Sequence, residues 1–553
     1  MTNQQGFQPT LRTLTLAFAF LLMPYPAMSD SASRTPDAAP TFAEFEAAGV
    51  IIHKVVVNTD NIFNLDDGQE NNWLFRTANK LHIQTRPQVI ERILLFKSGE
   101  KVSTQKIEES ERLLRNNRFI YDVAMKPVAN ADGTVDIQVT TRDTWTLDFS
   151  GNVSRSGGDN KTSFGVREYN LLGTGLRLGF LRTSDADRKG SEFDISYQQA
   201  FDGRTSISYA QGKFDDGRRK TAAVLRPFFS LDTRWAGGVV WTDDDRIDSI
   251  YNSGDTIGEY RHRQQSSEAF AGWSPGLIDG WTQRYSIGAR IRDDSYLAAA
   301  GRKAPVLLPI NQDTHAVFLR HELLEDKFVR LKNRDQIGRP EFFRLGFFSQ
   351  LQLTRSLESL GSTRSAWLYS AFVSNGFSLA SRRDLFLSGS AERRIASTGL
   401  PMTQIGAAMR YYIPQGSNAL FYAAMAADRI SGGGLADQLL LGGNNVLRGY
   451  PSYYQAGERR ALMSLEQRAY TDWYPFRLLR VGGAVFFDYG RAWGGLNKNL
   501  ANPGWLADAG AGLRIALDRA AFANVLHVDV AVPLNRTSAI KSIQFLVKTE
   551  ITF

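Results

Sequence analysis

The chain has 553 residues, 43% of them hydrophobic, a formal net charge of +8 and no cysteine. That length gives room for two or three domains, and the apolar share excludes a chain disordered throughout. The absent thiols exclude a disulfide framework, a cysteine zinc site and a cysteine nucleophile. No Lys/Arg run is long enough for a nucleic-acid patch, so the positive charge reads as solvated loops and no nucleic acid is expected as a partner.

In chain order, residues 1–29 read as a signal peptide. Arg12 gives a basic start, Leu14 to Met23 is an apolar run too short to span a bilayer as a helix, and Ala27 and Ser29 are the small residues a cleavage site needs. Residues 30–48, SDSASRTPDAAPTFAEFEA, are rich in Ser, Ala, Pro and acids and read as a linker. No later stretch of about 18 apolar residues exists to form a membrane helix. The mean hydropathy of −0.28 resembles that of a soluble protein. It equally fits a barrel that alternates lipid-facing apolar residues with polar lumen residues.

Residues 49–142 predict a β-α-α-β-β unit. VIIHKVVVN is a β-branched strand. Thr85 and Gln88 suggest a capping box around Pro87, and Ile90, Ile93 and Leu94 then share one helical face. Ser103 can cap a second helix running to about Asn116, with Ile107 and Leu114 two turns apart. Two strands close the unit, with Tyr121, Val123 and Met125 on one face of the first and Val135, Ile137 and Val139 on one face of the second. Asn130 to Gly133 is the turn between them.

From residue 144 to 553 the hydrophobic period is two. Trp145, Leu147 and Phe149 point one way; so do Phe193, Ile195 and Tyr197, and Leu526, Val528, Val530 and Val532, with His527 and Asp529 opposite. The last strand sets Ile543, Phe545, Val547, Ile551 and Phe553 against Gln544, Lys548 and Glu550. Short alternating segments with turn residues between them predict a membrane all-β fold, a transmembrane antiparallel β-barrel. At roughly 25 residues per strand and connection it would hold about sixteen strands. A soluble sandwich would need its apolar faces to meet in one core, and its charged faces would have no lumen to occupy.

Four stretches carry a family resemblance: the β-α-α-β-β unit with SERLLRNNRFIYDV and DGTVDIQVTTRD; EYNLLGTG at 168–175; Leu447-Arg448-Gly449-Tyr450; and Phe486-Phe487-Asp488-Tyr489-Gly490. In this order, before a terminal phenylalanine, they resemble the outer-membrane assembly and translocation superfamily that joins polypeptide-transport-associated (POTRA) domains to a C-terminal barrel. That group includes Bam- and Tam-type factors, two-partner transporters and bacterial surface antigens. The resemblance implies an outer-membrane barrel of a Gram-negative-type envelope with a periplasmic POTRA domain. It implies that a long loop folds back into the lumen and locks Arg448 onto Asp488 beside Phe486. Alternation independently turns Phe486, Asp488 and Gly490 inward, a carboxylate can take a guanidinium bidentately, and Glu466 is a second inward candidate acceptor. Gly449 allows a tight backbone approach. Leu447 stands where the family usually has valine and Tyr450 where phenylalanine is common, and a single POTRA unit is found where relatives have two or more.

Gly272-Trp273-Ser274-Pro275-Gly276 fits G-x-S-x-G, but a nucleophile elbow needs a strand, a strained turn and a helix, and this stretch lies among alternating segments. His321-Glu322-Leu323-Leu324-Glu325 lacks a zincin's second histidine. No catalytic residue, metal site or cofactor is expected. The expected function is assembly or insertion of outer-membrane proteins, or polypeptide translocation. Clients would bind at a POTRA sheet edge, and the barrel would open at the seam between its first strand (Trp145, Leu147, Phe149) and its last (Phe545, Phe553). The alternatives are two-partner export through the lumen and a surface antigen or pore. Expected partners are outer-membrane lipid and lipopolysaccharide, unfolded barrel or secreted polypeptides, and accessory assembly proteins.

Overall fold

The computed structural model describes residues 40–156, 159–184, 188–398, 401–434, 437–443, 445–495, 504–521, 525–537 and 540–550. The expected signal peptide, most of the linker, Ile551 and Phe553 lie outside them.

A small α+β domain comes first, with helices α1 (Phe42–Ala47), α2 (Trp73–Leu81), α3 (Pro87–Glu91) and α4 (Thr104–Arg115) and strands β1 (Ile52–Asp60), β2 (Ile120–Ala129) and β3 (Val135–Asp143). The sheet order is β1-β3-β2, with β1 parallel and β2 antiparallel to β3. Its core gathers Ile90, Ile93, Leu94, Ile107, Leu114, Val123 and Val135. Helix α1 falls inside the stretch expected to be linker, because Thr41 and Glu44 form a capping box and Phe42 and Phe45 pack on the core. The β-α-α-β-β expectation also missed α2, whose cap is Asn72.

The capping box expected at Thr85 does not form. The N-cap of α3 is Arg86, with no side-chain bond. Thr85 instead donates its backbone N–H and hydroxyl to the buried Asp143 carboxylate at 2.7 and 2.8 Å, and accepts from Asn170 Nδ2 of the barrel at 2.7 Å. The register shift between Ile120 and Asp122 turns Tyr121 out of the core, to lie under the Arg519 guanidinium at 4.0 Å.

The remainder closes into an antiparallel barrel. Among the described residues its wall has 21 strand segments; Leu277–Ile278 is a two-residue arm beside Trp281–Ala298, which leaves twenty full staves. The expected count of about sixteen is thereby corrected. Its assumption of long connections fails, since hairpins such as Asn252 to Asp255 turn within two residues. Trp145 is corrected as well. The first stave is Leu147–Ser156; Trp145 bridges Ala520 instead and packs by the Ile62, Phe63 and Phe75 cluster.

The outer wall exposes Phe149, Phe164, Phe180, Val239, Ile287, Leu319, Val485 and Phe545, while Asp148, Asp194, Glu466, Asp488 and Asp529 are buried inside. A closed sheet with an apolar exterior and charged interior is built for lipid outside and water within. No described helix is long and apolar enough to cross a membrane.

EYNLLGTG turns out to seat the small domain. The Gly173 carbonyl accepts from Arg86 N at 3.0 Å, and a Cβ on Gly173 would lie 2.2 Å from Gln84 O. With φ at +71° as well, only glycine fits this joint.

Candidate functional site: the latch in the lumen

Strands Ala419–Ser431 and Arg459–Tyr470 are joined by a long loop. Within it Leu439–Leu441 pairs with Gln455–Gly457, and this arm carries Leu447 to Tyr450 at its tip. Leu447 and Tyr450 are fully buried with Leu441, Ala492, Leu506 and Ile540. The Tyr450 hydroxyl lies 2.9 Å from the carbonyl oxygens of both Ala507 and Asn535. A core of this kind offsets the entropy of ordering so long a loop.

It delivers Arg448 to the inner wall. Arg448 Nε and Nη2 donate to the two Asp488 oxygens at 2.7 and 2.9 Å. Nη1 donates to Glu466 at 2.7 Å and Asp529 at 3.3 Å, and Nη2 to Ser464 Oγ at 3.1 Å. The guanidinium sits 3.4 Å over the Phe486 ring. Arg468 Nε donates to Glu466 at 2.7 Å, and Arg514 reaches both Asp529 and Glu466. Three buried guanidiniums thus bond three buried carboxylates, and a fourth carboxylate, Asp508, is buried opposite Asp488. Such an arrangement holds charges in a low-dielectric site only because every partner is present.

The structure therefore brings Arg448, Gly449, Tyr450, Phe486, Asp488 and Glu466 together. Gly490 lies beside them, where a Cβ would meet Ala461 O at 3.0 Å and Leu441 at 3.3 Å. Sequence reasoning did not assign Asp529, Ser464, Arg468 and Arg514 to the site. Ser464 and Arg468 share the face of Glu466 by alternation, and Asp529 lies opposite the apolar face of its own strand, but alternation carries no information on which distant staves meet. Of the seam residues, Leu147 is half-buried and Phe149 and Phe545 face outward, away from the lumen side that carries the latch.

Gly449 is constrained by packing: a Cβ there would come 2.6 Å from Asp508 Cβ and 3.0 Å from Pro533 N. Gly449→Ala is expected to push the loop off the wall at a cost of about 1–3 kcal/mol, the usual size for overpacking. Faster protease cleavage of the 437–458 loop in the variant checks this; cleavage at the wild-type rate refutes it.

Ser274 is buried in a turn, where Gly276 N donates to its Oγ at 3.0 Å, and the two-residue arm Leu277–Ile278 follows. No helix follows it, so the elbow geometry is absent. Among the described residues no group of three His, Asp or Glu could hold a metal ion.

No family model and no curated protein matches this chain. Among solved structures it is similar to BamA from Haemophilus ducreyi lacking POTRA domains 1–3, at 14% identity and a TM-score of 0.40, over 89% of this chain and 84% of that one. It is also similar to CdiB from Acinetobacter baumannii, at 12% identity and 0.40, over 90% and 73%, and to CdiB from Escherichia coli, at 11% identity and 0.46, over 90% and 76%.

Proposed function

We propose that this chain belongs to the outer-membrane assembly and translocation superfamily that its motifs resemble, and that it inserts or translocates polypeptides at the outer membrane. The small domain is its periplasmic POTRA unit, binding unfolded clients at a sheet edge by strand addition. The observation that carries this reading is the Arg448 cluster, an inward loop anchored on buried charges in a closed barrel. A loop tied to the inner wall by buried charges narrows the path that a wide diffusion pore keeps open.

The seam supports insertion over export. Among the described residues the last stave, Gln544–Glu550, partners the first at a single position, Val547 with Arg155; it partners its other neighbour at seven, Val525 to Ala531. A thinly paired seam leaves backbone groups free to template a client strand. The test is a proteomic comparison of outer membranes with and without this protein. Loss of several other barrels is expected; loss of a single secreted protein would favour export, and no change would refute both readings.

A further inference from the structure

The lumen is also entered from the domain-facing end. Between staves Gln312–Glu325 and Phe348–Ser356, residues 326–347 form a hairpin, Phe328–Lys332 paired with Pro340–Arg344. Its tip lies inside the domain-facing mouth of the barrel. Arg334 donates to the buried Asp384 of the wall at 3.0 and 2.8 Å, and Ile337 packs among Tyr412, Leu420, Tyr422 and Tyr470. The tip keeps its shape because the Glu341 carboxylate accepts the N–H groups of Arg334, Asp335 and Gln336 at 3.0 to 3.1 Å. The base is held by α4: Arg112 pairs with Asp326 at 3.2 Å and lies 4.2 Å over Phe328. A twenty-stave barrel has a lumen too wide for one inward loop to fill, since diameter grows with strand number.

The two inserts are linked through one pair of side chains, Glu466 and Arg468. Glu466 Oε1 holds Arg448 of the latch at 2.7 Å, while Glu466 Oε2 holds Arg468 at 2.7 Å; Arg468 Nη1 in turn donates to the Arg334 carbonyl at the hairpin tip at 2.9 Å. Withdrawing the tip strips Arg468 of that acceptor inside a buried site. It then competes for carboxylate oxygens that the latch uses.

We propose that the 326–347 hairpin is a second gate on the lumen, held by the small domain and coupled through Arg468 and Glu466 to the Arg448 latch. This deepens the function proposed above by naming its regulation: a client that displaces α4 would free the hairpin and so loosen the latch. The coupling itself is a property of the isolated protein, a shared free energy that acts equally in both directions.

The native chain has no cysteine, so Val446→Cys gives a single thiol beside the latch. In the full-length protein in liposomes, its rate of labelling by an impermeant maleimide is measured in three backgrounds. These are Asp384→Ala, which unpins the tip; Asp326→Ala, which frees the base from α4; and replacement of residues 328–344 by two glycines. Labelling is expected to speed up roughly tenfold in the first and third, within the usual range of allosteric coupling, and to rise in the second. Single-channel conductance should appear in the third. In reverse, Arg448→Met should accelerate labelling of Gln336→Cys at the tip. Heat-modifiable gel mobility confirms a folded barrel, and Asp384→Asn replaces any variant that fails to fold. Unchanged labelling at both thiols overturns the coupling, and unchanged conductance on excision overturns the gate. Neither readout uses a client, so either failure leaves the proposed insertion function standing, and failure of the depletion experiment leaves the gate standing.

Discussion

Arg448→Met is expected to destabilise the folded barrel and abolish its activity. The substitution removes the guanidinium that bonds Asp488, Glu466 and Asp529 together, in a site where Asp488 and Asp529 are almost wholly buried. Removing one partner from such a cluster costs about 3–5 kcal/mol. The temperature at which the barrel loses its compact mobility on a gel should fall accordingly. Arg448→Lys should recover little. An ammonium restores the charge, but it cannot chelate Asp488 through two nitrogens while donating to Glu466 and stacking on Phe486. The double variant Arg448→Met/Asp488→Asn separates stability from function. It removes one negative charge together with the positive one, so thermal stability should return while activity stays lost, because the guanidinium no longer anchors the loop to the wall. Wild-type stability and activity in Arg448→Met would show that the cluster does not hold the barrel in its working state.

The second large effect concerns the seam. A disulfide between Arg155→Cys and Val547→Cys, the one partnered pair joining first and last staves among the described residues, ties the two staves together at the seam. Oxidised protein is expected to lose client insertion completely, and reduction to restore it, with barrel folding unaffected in both states. The control is a disulfide at Val528→Cys and Val547→Cys, register partners across the adjacent strand pair, which should leave activity intact. Full insertion by the oxidised seam variant would exclude lateral opening and return the lumen to consideration as the route.

How far the sequence reaches can be followed residue by residue. A strand's side chains alternate by geometry, so period two alone assigned Phe486, Asp488 and Gly490 to the interior and Val485 to the exterior, and the structure buries and exposes them in that way. The apolar faces of the small domain were legible from helical periodicity at Ile90, Ile107 and Leu114 and from alternation at Val135. Turn chemistry marked Asn130 to Gly133, where Gly133 has φ +80°. Local pattern misled at Thr85, because its hydroxyl had a better partner than the helix it precedes: a fully buried carboxylate 58 residues away. It misled at Trp145 and Tyr121, whose environments are made by barrel residues 519 and 520.

The strand total, the second insert and the membership of the charge cluster were decided only by tertiary structure. Strand number depends on where hairpins close, and a two-residue turn leaves little compositional trace. The 326–347 hairpin is an ordinary polar connection until Arg334 finds Asp384 and Arg468 on other strands. Glu466, Asp488, Asp529 and Arg514 come from four different staves, and their charges are tolerable in a buried site only after closure of the sheet sets them around one guanidinium. The linear order of residues specifies which side of the wall each one faces. Which faces meet across the lumen is fixed by register and closure, because pairing energies between distant strands exist only once the ring is complete.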